Sequence, residues 1–161
     1  MRQKLCESQP MRPKSPRLAV RAVIVHQDRL LLVNAYPDGQ SDLLCLPGGG
    51  VETGSSLPDN LRRELYEETG LSVEVGDPCM VNEFHDPGTA FHQVDIYFRC
   101  ALSGTAQIDP TWQDPDRIVD KWYWLTEAEL QTYRHKPDSL RALAFGPGGG
   151  ISYDPLELLL R

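Results

Sequence analysis

Apolar positions along this chain change their period several times, and each change marks an element. From Leu18 the chain reads LAVRAVIVHQDRLLLVNA, two apolar, β-branched runs flanking the polar group His26-Gln27-Asp28-Arg29, which predicts a β-hairpin. A Pro/Gly/Asp loop over residues 36–42 leads to a short apolar strand at 43–46 and then to a turn at Pro47-Gly48-Gly49-Gly50. A helix follows with both ends signalled. Ser56 suits the N-cap, Pro58 the first turn, Asp59 the capping-box position, and Gly70 the C′ position. Leu57, Leu61 and Leu65 form an i,i+4 stripe that would dock this helix on a sheet.

Beyond the helix, residues 71–75 and 80–84 read as two strands. Residues 91–101 alternate, with Val94, Ile96, Phe98 and Cys100 on one face and Asp95, Tyr97 and Arg99 on the other, the pattern of a half-buried strand. Residues 122–125 read as another strand. Thr126 with Glu129 opens a helix, and a second helix is expected over 137–145. Gly146-Pro147-Gly148-Gly149-Gly150 reads as a linker to a C-terminal segment, 151–161, that packs on the body or on a partner chain, its leucines at 156–160 suiting an interface. Strands, helix, strands, helices in that order imply an α/β (α+β) domain with a mixed sheet.

Composition narrows this picture. The 161 residues suffice for one domain, 17–161, behind a flexible basic tail at 1–16 that lacks the apolar stretch of a signal peptide. No run approaches the ~18 apolar residues of a membrane span, so no membrane is expected and a cytoplasmic location follows by default. The net charge of −7 argues against extensive nucleic-acid binding but leaves a phosphorylated substrate open, provided cations bridge it to an acidic site. Cys6, Cys45, Cys79 and Cys100 are scattered, with no zinc-type spacing, and Cys45 and Cys100 lie in apolar runs expected to bury them as free thiols.

The candidate chemistry sits in the first helix. Glu64, Glu67 and Glu68 stand at i, i+3 and i+4, on one face and within reach of a common ion. Like charges at that spacing cost a helix roughly 0.2–0.5 kcal/mol per pair. A hard divalent cation, Mg²⁺ or Mn²⁺, would offset the cost. Taken singly, an acidic helix is ordinarily a solvated face and PGGG ordinarily a turn, and the P-loop pattern is absent. Here the glycines, which admit close approach of a ligand to the backbone, lead at fixed spacing into Arg63, Glu64, Glu67 and Glu68.

That combination resembles the Nudix family of nucleoside diphosphate-linked-moiety hydrolases. The family pattern is Gly, five residues, Glu, seven residues, Arg-Glu-aliphatic, any residue, Glu-Glu, any residue, Gly-aliphatic. Gly49, Arg63, Glu64, Leu65, Glu67, Glu68, Gly70 and Leu71 fall in register, and the flanking strand order from about Leu18 to Phe145 is similar to the family's α/β/α sandwich. The resemblance implies metal-dependent hydrolysis of a diphosphate linkage in a nucleotide or nucleoside diphosphate-linked substrate such as ADP-ribose or a nucleoside triphosphate. It implies Glu64, Glu67, Glu68 and the Gly49 carbonyl as metal ligands, with Glu64, Glu67 and Arg63 catalytic and Gly48 and Gly50 against the substrate. Dimers are common in the family, so a homodimer is implied too. One position departs: Ser55 stands where the pattern has its first glutamate, the usual partner of the arginine matching Arg63, so Arg63 must turn to Glu67 or Glu52.

Outside the motif, Asp114, Asp116 and Asp120 offer a general base from a later loop, Asp116 being taken toward the substrate. Trp112, Trp122 and Trp124 could stack a base, with Trp112 preferred because the other two share a strand face that suits the core. Arg21 and Arg99, each within a strand, are candidates for phosphate, and His85 and His92 flank an irregular loop. The alternatives are a catalytically weak domain of the same type that binds a nucleotide metabolite as a sensor, which Ser55 motivates, and a plain structural domain whose acidic helix is solvated.

Overall fold

Strands apolar on both faces need a layer on each side, and the fold supplies two sheets with helices outside both. The computed structural model describes residues 15–160, so most of the expected tail, with Cys6, lies outside the described residues. In chain order the elements are β1 (Arg17–Val23), β2 (Val25–His26), β3 (Arg29–Asn34), a 3-10 turn (Pro37–Gly39), β4 (Leu44–Cys45), β5 (Gly48–Gly50) and α1 (Leu57–Thr69). There follow β6 (Val73–Asp86), β7 (Phe91–Leu102), β8 (Trp122–Thr126), α2 (Glu127–Leu130), α3 (Leu140–Phe145), β9 (Ser152–Tyr153) and β10 (Glu157–Leu158). The larger, mixed sheet runs β10-β6-β7-β1-β5, with β9 also on β6; the smaller sets β2, β4 and β8 on β3.

One core joins the sheets to α1 through Val20, Ala22, Ile24, Leu31, Leu61 and Leu65. The other joins them to α2 and α3 through Leu30, Leu32, Met80, Leu130, Leu140 and Leu143. Helix α1 starts and stops where its caps place it. The Ser56 hydroxyl accepts the Asp59 N–H, and Gly70 takes the left-handed conformation at φ 72°. Fully burying Leu61 and Leu65 stabilises the docking by roughly 2 kcal/mol each.

Four expectations change. The first apolar run does not form one long hairpin: β1 joins the larger sheet, and only β2 turns back on β3, through Gln27 and Asp28 at φ 49° and 59°. Residues 71–75 and 80–84 belong to one strand, β6, whose pairing with β7 slips on either side of Pro78, a bulge that accommodates the missing N–H. The PGGG turn is an edge strand, β5, antiparallel to β1. The alternating strand β7 is not half-solvated: it lies between β6 and β1, and Asp95 (1% exposed) and Tyr97 are buried beneath a cavity. Alternation reported two different environments there, not core and solvent.

Smaller differences follow the same logic. The last predicted helix begins at Leu140, three residues late. Of the two placements expected for the C-terminal segment, it takes the one on the body, where β9 and β10 run parallel to β6. Cys45 and Cys100 are free but only half-buried; among the described residues Cys79 is the buried thiol.

Candidate active site

A cavity of about 320 Å³ opens where β5, α1 and the first half of β7 meet. Three glycines make its rim, each for a separate reason. Gly48 holds φ 136°, and a Cβ there would strike the Val20 carbonyl. A Cβ on Gly49 would occupy the place of the Glu64 carboxylate, and one on Gly50 would lie 2.9 Å from Arg17 Nη2. The missing side chains thus leave room for an acid and a base.

The Glu68 carboxylate is recessed under this rim and accepts the Gly48 N–H at 2.8 Å. Burial pushes its pKa up to about 8; Arg21 and the Gly48 hydrogen bond counter that, while Glu64 and Asp114 add to it. Burial raises Glu64 as well, against the pull of Arg63. Glu67 stands apart from the cavity lining, its carboxylate bonded to Arg63 Nη1 at 2.9 Å. Arg63 also donates to Glu64 at 2.8 Å and stands 3.6 Å from Glu52, so three carboxylates replace the one absent at Ser55.

Arg21 and Asp95 build the floor. Arg21 donates to the Gly48 carbonyl at 2.8 Å and the Leu46 carbonyl at 3.4 Å, and its Nε lies 3.6 Å from Asp95. The Gln93 amide donates to the other Asp95 oxygen at 2.7 Å. A chain Gln93–Asp95–Arg21–Gly48 therefore fixes the glycine strand from below. Asp114 is consumed by its own loop, accepting the N–H groups of Asp116, Ile118 and Val119. Asp116 lines the cavity within electrostatic reach of Glu64, and Asp120 lies outside it.

Among the described residues, no three His, Cys, Asp or Glu side chains already stand as a metal-ligand set. The donors nonetheless fit a hard cation: Glu64 and Glu68 are oxygen donors, desolvated and mutually repelling, Glu68 on the Gly48 N–H and Glu64 beside Gly49. Glu67 would join them on leaving Arg63.

The family model for the NUDIX domain matches residues 15–144. The chain belongs to the Nudix hydrolase family. Membership places it among hydrolases acting on pyrophosphate bonds. It is 32% identical over 124 residues to a MutT-like protein of Streptomyces ambofaciens, covering 71% of this chain and 76% of that one. It is 31% identical over 83 residues to an ADP-ribose pyrophosphatase of Methanocaldococcus jannaschii, where the match spans 52% of this chain and 49% of the relative. A Nudix hydrolase structure from Nitrosomonas europaea shares the fold, with TM-score 0.65 and 24% identity over 78% of this chain and 84% of that one.

Within this Nudix site, several expected residues are placed elsewhere. Trp112 donates its indole N–H to the Glu67 carbonyl at 2.8 Å, packs over Gly70, and meets Tyr66 edge to face. Trp122 donates likewise to the Glu68 carbonyl at 2.8 Å. Both satisfy orphan carbonyls at the end of α1, so they anchor the carboxylate helix and do not line the cavity. Trp124 packs against the core on the α1 side. Arg99 bonds the Leu143 carbonyl, and His92 pairs with Glu83. Sequence reasoning missed Arg17, Gln93, Asp95 and Lys136, all of which line the cavity. Only strand register could have found the first three, because Arg17 pairs with Gln93 and Ala19 with Asp95 across β1 and β7.

Proposed function

We propose that this cavity hydrolyses the diphosphate linkage of a nucleoside diphosphate-linked substrate with the help of a divalent cation, Mg²⁺ or Mn²⁺. The observation that carries the reading is the recessed Glu68 carboxylate, held beside Glu64 at the glycine rim in a setting that disfavours its charge without a cation. Glu64 and Glu68 would hold the ion, with the Gly49 carbonyl and Glu67 completing the set. When bound, it supplies charge neutralisation at the pyrophosphate oxygens and acidifies water.

The remaining steps belong to the protein. Phosphoryl transfer asks chiefly for positioning and electrostatic stabilisation. Arg17 lies on Gly50 at the cavity mouth, and no carboxylate among the described residues pairs with it, so its guanidinium faces substrate phosphate. Arg21 is a positioning residue that keeps the Gly48 and Leu46 carbonyls in place. Asp116, whose carboxylate bonds no other group among the described residues, takes the proton from the attacking water. Arg63 orients Glu64 and Glu67.

The test is a panel of ADP-ribose, nucleoside triphosphates, dinucleoside polyphosphates and nucleotide sugars, each with Mg²⁺ and with Mn²⁺. Hydrolysis of at least one is expected. No product from any, with the fold intact, overturns the reading, and ligand recovered unchanged after tight calorimetric binding would replace it with a sensor.

A further inference from the structure

The Nudix match ends at residue 144, yet the cavity does not. Leu159 and Leu160, fifteen residues and more beyond that limit, line it together with Tyr36, Phe84, Phe91 and Ile118. We infer that the C-terminal segment from Ser152 to Leu160 is a wall of the substrate cavity, and that Leu159 and Leu160 set the size and apolar character of the group accepted at the end remote from Glu64 and Glu68. The inference rests on the proposed hydrolysis for its substrate.

The segment is fixed from several directions. β9 pairs Ser152 with Met80 and Tyr153 with Val81, and β10 pairs Glu157 with Phe84 and Leu158 with His85. The N–H groups of Asp154 and Leu159 donate to the carbonyls of Val81 and His85, each at 2.9 Å. Tyr36 donates its hydroxyl to the Leu160 carbonyl at 2.5 Å, bridging the segment to the opposite wall.

Beneath it lies a polar anchor. Asp154, which is buried, accepts the Ser139 hydroxyl and the Asn82 amide. Glu157 accepts Lys136 Nζ at 2.6 Å and the Asp138 N–H at 3.2 Å. Lys136 itself lines the cavity, so this segment also decides what that ammonium faces. A stray sheet edge would not need buried charges tied to a loop and a helix start.

The wall's chemistry defines its ligand. Tyr36, Phe84, Phe91, Ile118, Leu159 and Leu160 offer aromatic and aliphatic surface, while Lys136 is engaged by Glu157 and Asp138 and Arg21 by Asp95. That end suits a flat, largely uncharged ring such as a nucleobase, because among the described residues the ammonium of Lys136 there is already held by carboxylates, while Arg17 lies at Gly50.

The experiment uses the full chain with Leu159→Trp, Leu159→Ala and Tyr36→Phe on the same substrate panel. Leu159→Trp should raise KM for the best substrate about tenfold or more while kcat stays within about threefold, because Glu64 and Glu68 are untouched. Leu159→Ala should move the order of preference toward bulkier groups, and Tyr36→Phe should raise KM a few-fold. KM values and preference order within about twofold of the parent for all three variants, with unchanged melting, overturn the inference while leaving hydrolysis standing. If the parent turns over nothing, the hydrolysis reading fails, and the wall is judged by the melting shift that ADP-ribose gives the parent and Leu159→Trp: a larger shift for the parent supports it, and equal shifts overturn it.

Discussion

The two ends of the cavity are built on opposite terms. At the glycine end, charged groups are crowded into one place: Glu64 and Glu68 are desolvated, and burial raises both carboxyl pKa values. At the C-terminal end, apolar side chains line the space and the buried charges among the described residues are paired, as Lys136 is with Glu157 and Asp138. The first end stores unfavourable energy that a ligand can relieve; at the second the charges are paired before any ligand arrives. Function at the first should therefore oppose stability, and function at the second should follow from shape.

Glu68→Gln presses hardest on that contrast. Glutamine keeps an acceptor for the Gly48 N–H and removes the charge. Activity should fall about a hundredfold or more, since a cation loses a ligand and the phosphate its neutralisation. Melting temperature in chelator at neutral pH should rise. Lost activity together with lost stability would show that Glu68 is an ordinary structural carboxylate.

Acidity gives the same contrast without mutation. The folded pKa of Glu68 lies at about 8, above its ordinary 4.5, so the folded state binds the extra proton between these values. Stability of the metal-free protein is then fully present below pH 4.5 and falls as pH rises through about 8. The loss should be on the order of 5 kcal/mol at most. Denaturant titrations in chelator measure it, saturating Mg²⁺ should flatten the slope, and Glu68→Gln should abolish it.

How far each end was legible in the sequence follows from the range of the interactions that build it. Helix α1 was readable because Ser56, Gly70 and the Leu61–Leu65 stripe act within a few residues of one another. Glu64, Glu67 and Glu68 were readable as a set for the same reason. The turn of Glu67 toward Arg63 was anticipated as one of two options, but the joint use of Glu52, Glu64 and Glu67 needed coordinates. Asp95 was misread because alternation on β7 cannot distinguish solvent from a polar cavity floor. Leu159 reads in the sequence only as part of a segment that packs on the body or on a partner chain, since its place depends on pairing with a strand some seventy residues away.

Trp112 tests the edge of the charged end at a smaller scale. If its indole serves α1 by bonding the Glu67 carbonyl, Trp112→Phe should cost about 1 kcal/mol of stability in a denaturant titration. KM should stay unchanged, because the ring lies outside the cavity. A tenfold rise in KM with stability intact would return it to the role of base-stacking residue.

The smallest effect is expected where the motif departs. Ser55→Glu restores the family's acid, and a simple reading of the pattern predicts a large gain. The structure argues otherwise. Arg63 already bonds Glu64 and Glu67 and stands beside Glu52, and position 55 is exposed. A further exposed carboxylate adds about 0–1 kcal/mol, which bounds the change in kcat/KM at about fivefold. What gain there is should come through Glu67, since competition for Arg63 would release it toward Glu64 and Glu68. The metal concentration giving half-maximal activity should then fall while kcat at saturating metal stays fixed. A large rise in kcat at saturating metal would mean that Ser55 limits the chemical step and that the three present partners of Arg63 do not replace the missing one.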